Sequence, residues 1–465
     1  MRKMGVPNGT FKDSLDLDYT RHFPSVECLD SFERNELEKR IEKLIFFHSN
    51  AKLAYQATNF VKNWLLNSGF DEKNLLEESS SNNDKYFFLD PWQKSSLIAV
   101  KEGKRPITDG FRLIISHADS PCLKIKPRPA RIETDTRDLY NSLGIKLSTI
   151  PHGGIVVPYW IGQPVKVMGY SIDKNNLRKE ISFPGFIGVN STHVDFSEYM
   201  QVNDAFPPED SLEIITGFSN LKNLLDKLKF DSVDDFSTTQ LWAVPMNKMF
   251  SLGNSQNLLV GYGHDNRTSV FSSIDSLISA ENSEYTSIVW VSDNEEIFDP
   301  TPVGTNGPFL ENFLANAFEN YEKKENRKIS EREKQNMYIN SRIIIGDVTI
   351  APYGHDDWAM DAKSSAKIGL GAHIENGTIK GNDPYFMRSL MNIASKEKIC
   401  HQLTGQFYNQ NFMDLWYCGN DHNLKGIPEI WAGIPCASCH SFVEVICPGD
   451  EYAASKLFRK FFEVK

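Results

Sequence analysis

His117, Asp265, Glu296, Asp347 and His440 lie in five separate short segments of the chain, each at the end of an apolar run that reads as a buried strand. Two imidazoles and three carboxylates form a donor set suited to a pair of divalent cations that share one bridging carboxylate. Glu295, next to Glu296, is a carboxylate left over. Two adjacent acids after a buried strand repel each other, and a cation or a proton relieves the repulsion. One of the pair can then hold metal while its neighbour accepts a proton from bound water. The pattern predicts metal-assisted hydrolysis.

Each segment also has a plainer explanation. His117 and Asp119 alternate at one strand end, so they share a side of the sheet. The economical assignment makes His117 a ligand and Asp119 either the carboxylate that fixes its tautomer or a group near the bound water; a hydrogen-bonded core histidine is the alternative. Asp265 precedes a helical pattern over 268–280 and could simply cap it, although a carboxylate with two free oxygens can bridge two cations. Asp347 could be an ordinary loop acid. Cys436-Ala437-Ser438-Cys439-His440 matches the haem-attachment spacing. Its apolar flanks read instead as small thiols packed beside a functional histidine.

Strands and helices in alternation must position these side chains. Helical spacing runs over about 31–68, with Leu37, Ile41, Leu44 and Ile45 on one stripe and Tyr55, Phe60, Val61, Trp64 and Leu65 continuing it. Apolar runs over 86–89, 96–100 and 111–115 follow, the last delivering His117 to the carboxyl edge of a strand, where open α/β sheets place their sites. From about 123 to 208 the chain turns rich in Pro and Gly with short β-type runs, among them Gly154 to Trp160 and Val165 to Gly169. The αβ rhythm then resumes: a strand over 287–291, a helix over 309–321, a solvated charge run over 322–334, a strand over 343–345, and a last helix capped by Asp450. The expected fold class is α/β, a mixed sheet sandwiched by helices. Its catalytic domain is divided into 1–124 and 211–465 around an inserted β-rich domain at 125–210.

Composition narrows the function classes. A chain of 465 residues exceeds one compact core. Its formal charge of −11, with dispersed Lys and Arg, argues against nucleic acid or an anionic membrane as partner. No apolar stretch reaches the roughly 18–20 residues of a membrane span, and the first residues lack an apolar signal core. Seven cysteines, an odd number, fit reduced thiols and a cytoplasmic location.

The pieces Ser116-His117-Ala118-Asp119-Ser120-Pro121, His152-Gly153-Gly154, Asp265-Asn266-Arg267, Asp293-Asn294-Glu295-Glu296, Gly346-Asp347-Val348 and Gly433-Ile434-Pro435…His440-Ser441…Glu444 occur in one order along the chain. In that order they resemble the aspartyl aminopeptidase and vacuolar aminopeptidase I family, in its bacterial branch. The resemblance implies a dinuclear metallo-aminopeptidase, with zinc first and cobalt or manganese as alternatives, that removes single N-terminal residues from peptides. It implies that His117 and Asp347 hold one metal, Glu296 and His440 the other, that Asp265 bridges, and that Glu295 is the general base acting on a metal-bridging water. Asp119 joins Glu295 as a catalytic candidate. The resemblance also implies a homo-oligomer, typically a dodecamer, built through the inserted domain, with His193 reaching a neighbour's site. Where the family usually reads Glu-Glu-Val-Gly-Ser, this chain has Glu295-Glu296-Ile297-Phe298-Asp299, and Asn409 to Gly426 replaces a Gly-rich stretch. Those departures motivate an alternative of a metal-bearing but idle scaffold or peptide-binding protein; a carboxypeptidase or deacylase of the same clan is the other. Glu375 best matches a Lys that pairs with acidic substrates in the family, so neutral or basic N-terminal residues are expected to be preferred.

Overall fold

The computed structural model describes residues 23–75, 83–131, 144–189, 212–253, 256–281, 283–297, 301–352, 364–375, 383–405 and 426–464. His193, residues 298–300 and residues 409–425 lie outside the described residues.

The sheet that carries the candidate residues is built around four parallel strands, Thr286–Ser292, Phe111–His117, Arg342–Ile350 and Glu429–Ala437, side by side in that order. Parallel strands are buried on both faces, which is why these runs read as continuous apolar sequence rather than alternation. Alternate side chains nevertheless separate into two layers. Ile114, Val289, Val291 and Ile344 pack against helices Ser31–Asn50, Ala54–Asn67, His264–Ser279 and Pro448–Phe462. Leu113, Ile115, Ile288, Trp290, Ile343 and Ile345 pack on the other face against Phe309–Glu325 and Met337 of Glu331–Asn340. Antiparallel strands extend the sheet on both sides: Leu97–Lys101 and Lys85–Leu89 beyond Thr286–Ser292, and Glu444–Ile446, Leu258–Gly261 and Phe250–Leu252 beyond Glu429–Ala437. The expected α/β sandwich is the fold.

The inserted unit is a closed barrel of Cys122–Arg131, Lys146–His152, Leu212–Ile215, Arg178–Val189, Pro164–Ile172 and Thr239–Pro245, around Leu123, Leu147, Val165, Val167, Ile187, Ile214, Leu241 and Ala243. The barrel therefore runs past residue 210, the expected end of the insertion, to Pro245. Composition stops signalling it at about 208 because the closing strand, Thr239–Pro245, lacks the Pro- and Gly-rich texture and follows an amphipathic helix, Leu221–Leu228.

Several local expectations are corrected. The stripe over 31–68 is two helices, Ser31–Asn50 and Ala54–Asn67, broken at Ala51 to Leu53. Part of the charge run over 322–334 continues the helix Phe309–Glu325. The remainder starts a new helix because Ser330 and Glu333 form a reciprocal capping box and Met337 buries. Gly154 to Trp160 is not a strand; Pro158 sits in a short helical turn, Val157–Trp160. Asp450 does not cap the last helix, which starts at Pro448. Its carboxylate instead accepts the N–H groups of Gly369 and Gly371 at 2.6 and 2.7 Å.

Candidate metal centre

Because the four central strands run the same way, their carboxyl ends deliver side chains to one edge. His117 closes its strand in register with Ser292, and the Glu295–Ile297 turn follows directly. Asp347 is not at a strand end as expected. It lies inside Arg342–Ile350, past the point where pairing with Phe111–His117 stops at Ile345, so its side chain faces the same edge. Asp265 and Asn266 have non-helical backbone ahead of the regular helix, and the peptide between them is cis. Asn266 Nδ2 anchors this segment on the carbonyl of Gly346, next to Asp347, at 2.9 Å. Asp265 is therefore not a simple helix cap.

All five candidate ligands meet. His117 Nε2 lies 3.3 Å from Asp265 Oδ1 and 3.5 Å from Asp347 Oδ1. His440 Nε2 lies 3.3 Å from Asp265 Oδ2 and 3.6 Å from Glu296 Oε2. Two triads result, His117–Asp265–Asp347 and Asp265–Glu296–His440, each with donor atoms within 4.8 Å of one another. Asp265 is the shared member, one oxygen to each side. Glu295 belongs to neither; its Oε2 stands 3.7 Å from His117 Nε2.

The electrostatics call for cations. Burial opposes charge on both imidazoles, yet the carboxylates around them hold His117 and His440 well above the ordinary histidine range. Burial pushes the Glu295 carboxyl up to about 7; the charges of Asp347, Asp119 and Asp265 add to this against the pull of His117. Glu296 Oε1 is buried with no hydrogen-bond partner among the described residues, a costly arrangement that a cation would relieve. Nitrogen and carboxylate donors in this ratio suit zinc and its neighbours. The residues present fit the metal.

Supporting groups fix the ligands. Asp119 accepts the backbone N–H groups of Glu295 and Glu296, each at 3.2 Å, and sits 3.3 Å from His117 Nδ1. Glu444 accepts the N–H of Asp265 and of His440, both at 3.0 Å, joining the backbones of two ligands. His440 Nδ1 bonds the carbonyl of Gly154 at 2.8 Å, and His373 Nε2 that of Asp347 at 3.1 Å. Roles for Glu444 and His373 escape sequence reasoning; the spacing of four residues between His440 and Glu444 was the available signal for the first. Cys436 is buried and Cys439 half-buried, its thiol on the Cys436 carbonyl, so the Cys-x-x-Cys-His segment packs thiols beneath a site histidine.

Comparison with known proteins agrees with this geometry. The family model "Aminopeptidase I zinc metalloprotease (M18)" matches residues 47–186 and 198–462. A curated relative from Borrelia garinii, named "Probable M18 family aminopeptidase 1", is 26% identical over 94% of this chain and 98% of its own. The crystal structure of an M18-family aminopeptidase from Thermotoga maritima superposes with a TM-score of 0.77 at 20% identity, covering 92% of this chain and 97% of that one. The S. cerevisiae mApe1 dodecamer superposes at 0.68 and 17% identity, over 91% and 96%.

Proposed function

We propose that this chain, which belongs to the aminopeptidase I zinc metalloprotease (M18) family and is a metal-dependent aminopeptidase, holds two divalent cations, zinc before cobalt or manganese, between the two triads that share Asp265. The idle-scaffold reading and the carboxypeptidase or deacylase reading are not favoured, since the matched family and the curated relatives are aminopeptidases. The carrying observation is the placement of Asp265, with one oxygen 3.3 Å from each imidazole.

When bound, the cations polarise the scissile carbonyl and make water acidic enough to attack near neutral pH. His117 and Asp347 would hold one of them, and Glu296 and His440 the other. Glu295, outside both triads, takes the proton of the attacking water and passes it to the leaving amine, as base and then acid. Asp119 keeps the Glu295–Glu296 turn and the His117 ring in position. A free substrate amine would dock beside the cations, which would limit release to a single N-terminal residue. The test is Glu295→Gln: the zinc content should persist while kcat falls by ~10²–10⁴-fold. Unchanged turnover would remove Glu295 from the chemistry.

Glu375 supports a preference for neutral or basic N-terminal residues. Its strand, Ala372–Glu375, is joined to the Asp347 carbonyl by His373, and Glu375 lies two residues on, on the same face. A homo-oligomer, a dodecamer, is the assembly proposed. The S. cerevisiae neighbour is one, and the barrel exposes Ile150, Tyr159, Leu177 and Phe186. His193 reaching a neighbouring site belongs to the same proposal. A cytoplasmic location is supported by free thiols at all six cysteines among the described residues. No helix among those residues is long and apolar enough to cross a membrane.

A further inference from the structure

The barrel ends one of its strands against the metal centre. Lys146–His152 finishes with His152 in register with Cys122, and the imidazole is buried against the sheet edge. His152 Nε2 lies 3.0 Å from Asp119 Oδ2. An ionised carboxylate only accepts, so Nε2 carries the proton and donates. The next two residues also touch the centre. Gly153 has φ +79°, and a Cβ there would meet Glu296 Oε2 at 3.0 Å; Gly154 accepts His440 Nδ1.

Asp119 thus has four nitrogens around its two oxygens: His117 Nδ1, Glu295 N, Glu296 N and His152 Nε2. The first three belong to the ligands and base that Asp119 is meant to orient, so they cannot also serve as its fixed reference. Among these four, His152 alone stands on a strand of the barrel. Orientation of a ligating imidazole by the carboxylate on its far nitrogen governs metal affinity, and the carboxylate needs its own anchor.

We propose that His152 is a positioning residue of the metal centre: by donating to Asp119 it fixes the His117 ring and the Glu295–Glu296 turn, so that the barrel sets metal affinity and base geometry. This rests on the ligand roles proposed above.

Gln and Met at position 152 separate the hydrogen bond from mere filling of space, because they have similar bulk and only Gln has a donor that can stand in for Nε2. Zinc-loaded full-length protein is titrated with a chromogenic chelator, and kcat and KM are measured on a leucyl amide. His152→Met should lose zinc ~10–100-fold more readily and lose kcat by a similar factor. Its KM should stay within about twofold, as expected when substrate binding is spared. His152→Gln should recover most of both. If the Gln and Met variants behave alike, whether both intact, both impaired or both unfolded, the hydrogen bond does not position the centre and the proposal falls. Wild-type protein that retains no zinc would instead sink the ligand assignment, and this proposal with it.

Discussion

In the reading proposed above, Glu375 faces the side chain of the bound N-terminal residue and would turn the chemistry of the site into selectivity. A carboxylate near the bound residue's side chain costs an acidic substrate both its own repulsion and the loss of a cationic partner. With peptides differing only in their first residue, kcat/KM for Asp should fall below that for Leu and Lys by ~10-fold or more, the scale of one misplaced charge at ~1.4 kcal/mol. A higher kcat/KM for Asp would overturn the assignment. All five candidate ligands and Glu295 were legible as residues because each follows an apolar run and each is of a type that binds metal or moves protons. Of the partners that aim them, Asp119 was legible from its alternation with His117; a carbonyl such as Gly154's leaves no mark in sequence, and Glu444 was visible only as part of a motif, without a role.

At the level of elements, the sequence revealed whichever units carry a one-sided or continuous apolar pattern. The four central strands announced themselves through runs such as Ile343 to Ile345. The break at Ala51 to Leu53 did not, because both flanking helices continue the same apolar stripe. The junction it creates has a testable property. His48, near the end of Ser31–Asn50, has its ring centre 5.2 Å from that of His264 at a 55° tilt and bonds Thr268 Oγ1 at 3.1 Å. Burial, then the neighbouring His264 and Arg267 charges, hold His48 well below the usual histidine range; burial and Arg267 bring His264 down to about 3. Both rings stay neutral in the folded protein while the unfolded chain takes up protons below about 6.5. Stability should therefore fall as pH drops below about 6.5, by at most ~1.4 kcal/mol per pH unit for each ring. His48→Gln keeps a group for Thr268 but cannot titrate. Denaturant melts of the chelated protein at pH 7 and pH 5 should show a shallower loss for the variant. Equal slopes would mean that His48 is protonated in the fold.

For the whole molecule, the α/β sandwich carries all five candidate ligands and Glu295, while the barrel brings His152 to Asp119 and leaves Ile150, Leu177 and Phe186 exposed. The insertion was visible as a change of texture. Its end was not, because the strand that closes the barrel returns from residues that look like the main domain. If the barrel's exposed apolar side chains are covered by other copies, sedimentation should find a dodecamer of 52.9 kDa chains at micromolar concentration. A monomer would remove the assembly proposal and the role of His193. The claim on which the rest depends is that the two triads are two metal sites joined through Asp265. Anomalous scattering at the zinc edge from crystals of the zinc-loaded protein tests it directly. The account predicts two peaks within about 4 Å of each other, one among His117, Asp265 and Asp347 and one among Asp265, Glu296 and His440; a single peak, or peaks that leave Asp265 uncoordinated, would contradict it.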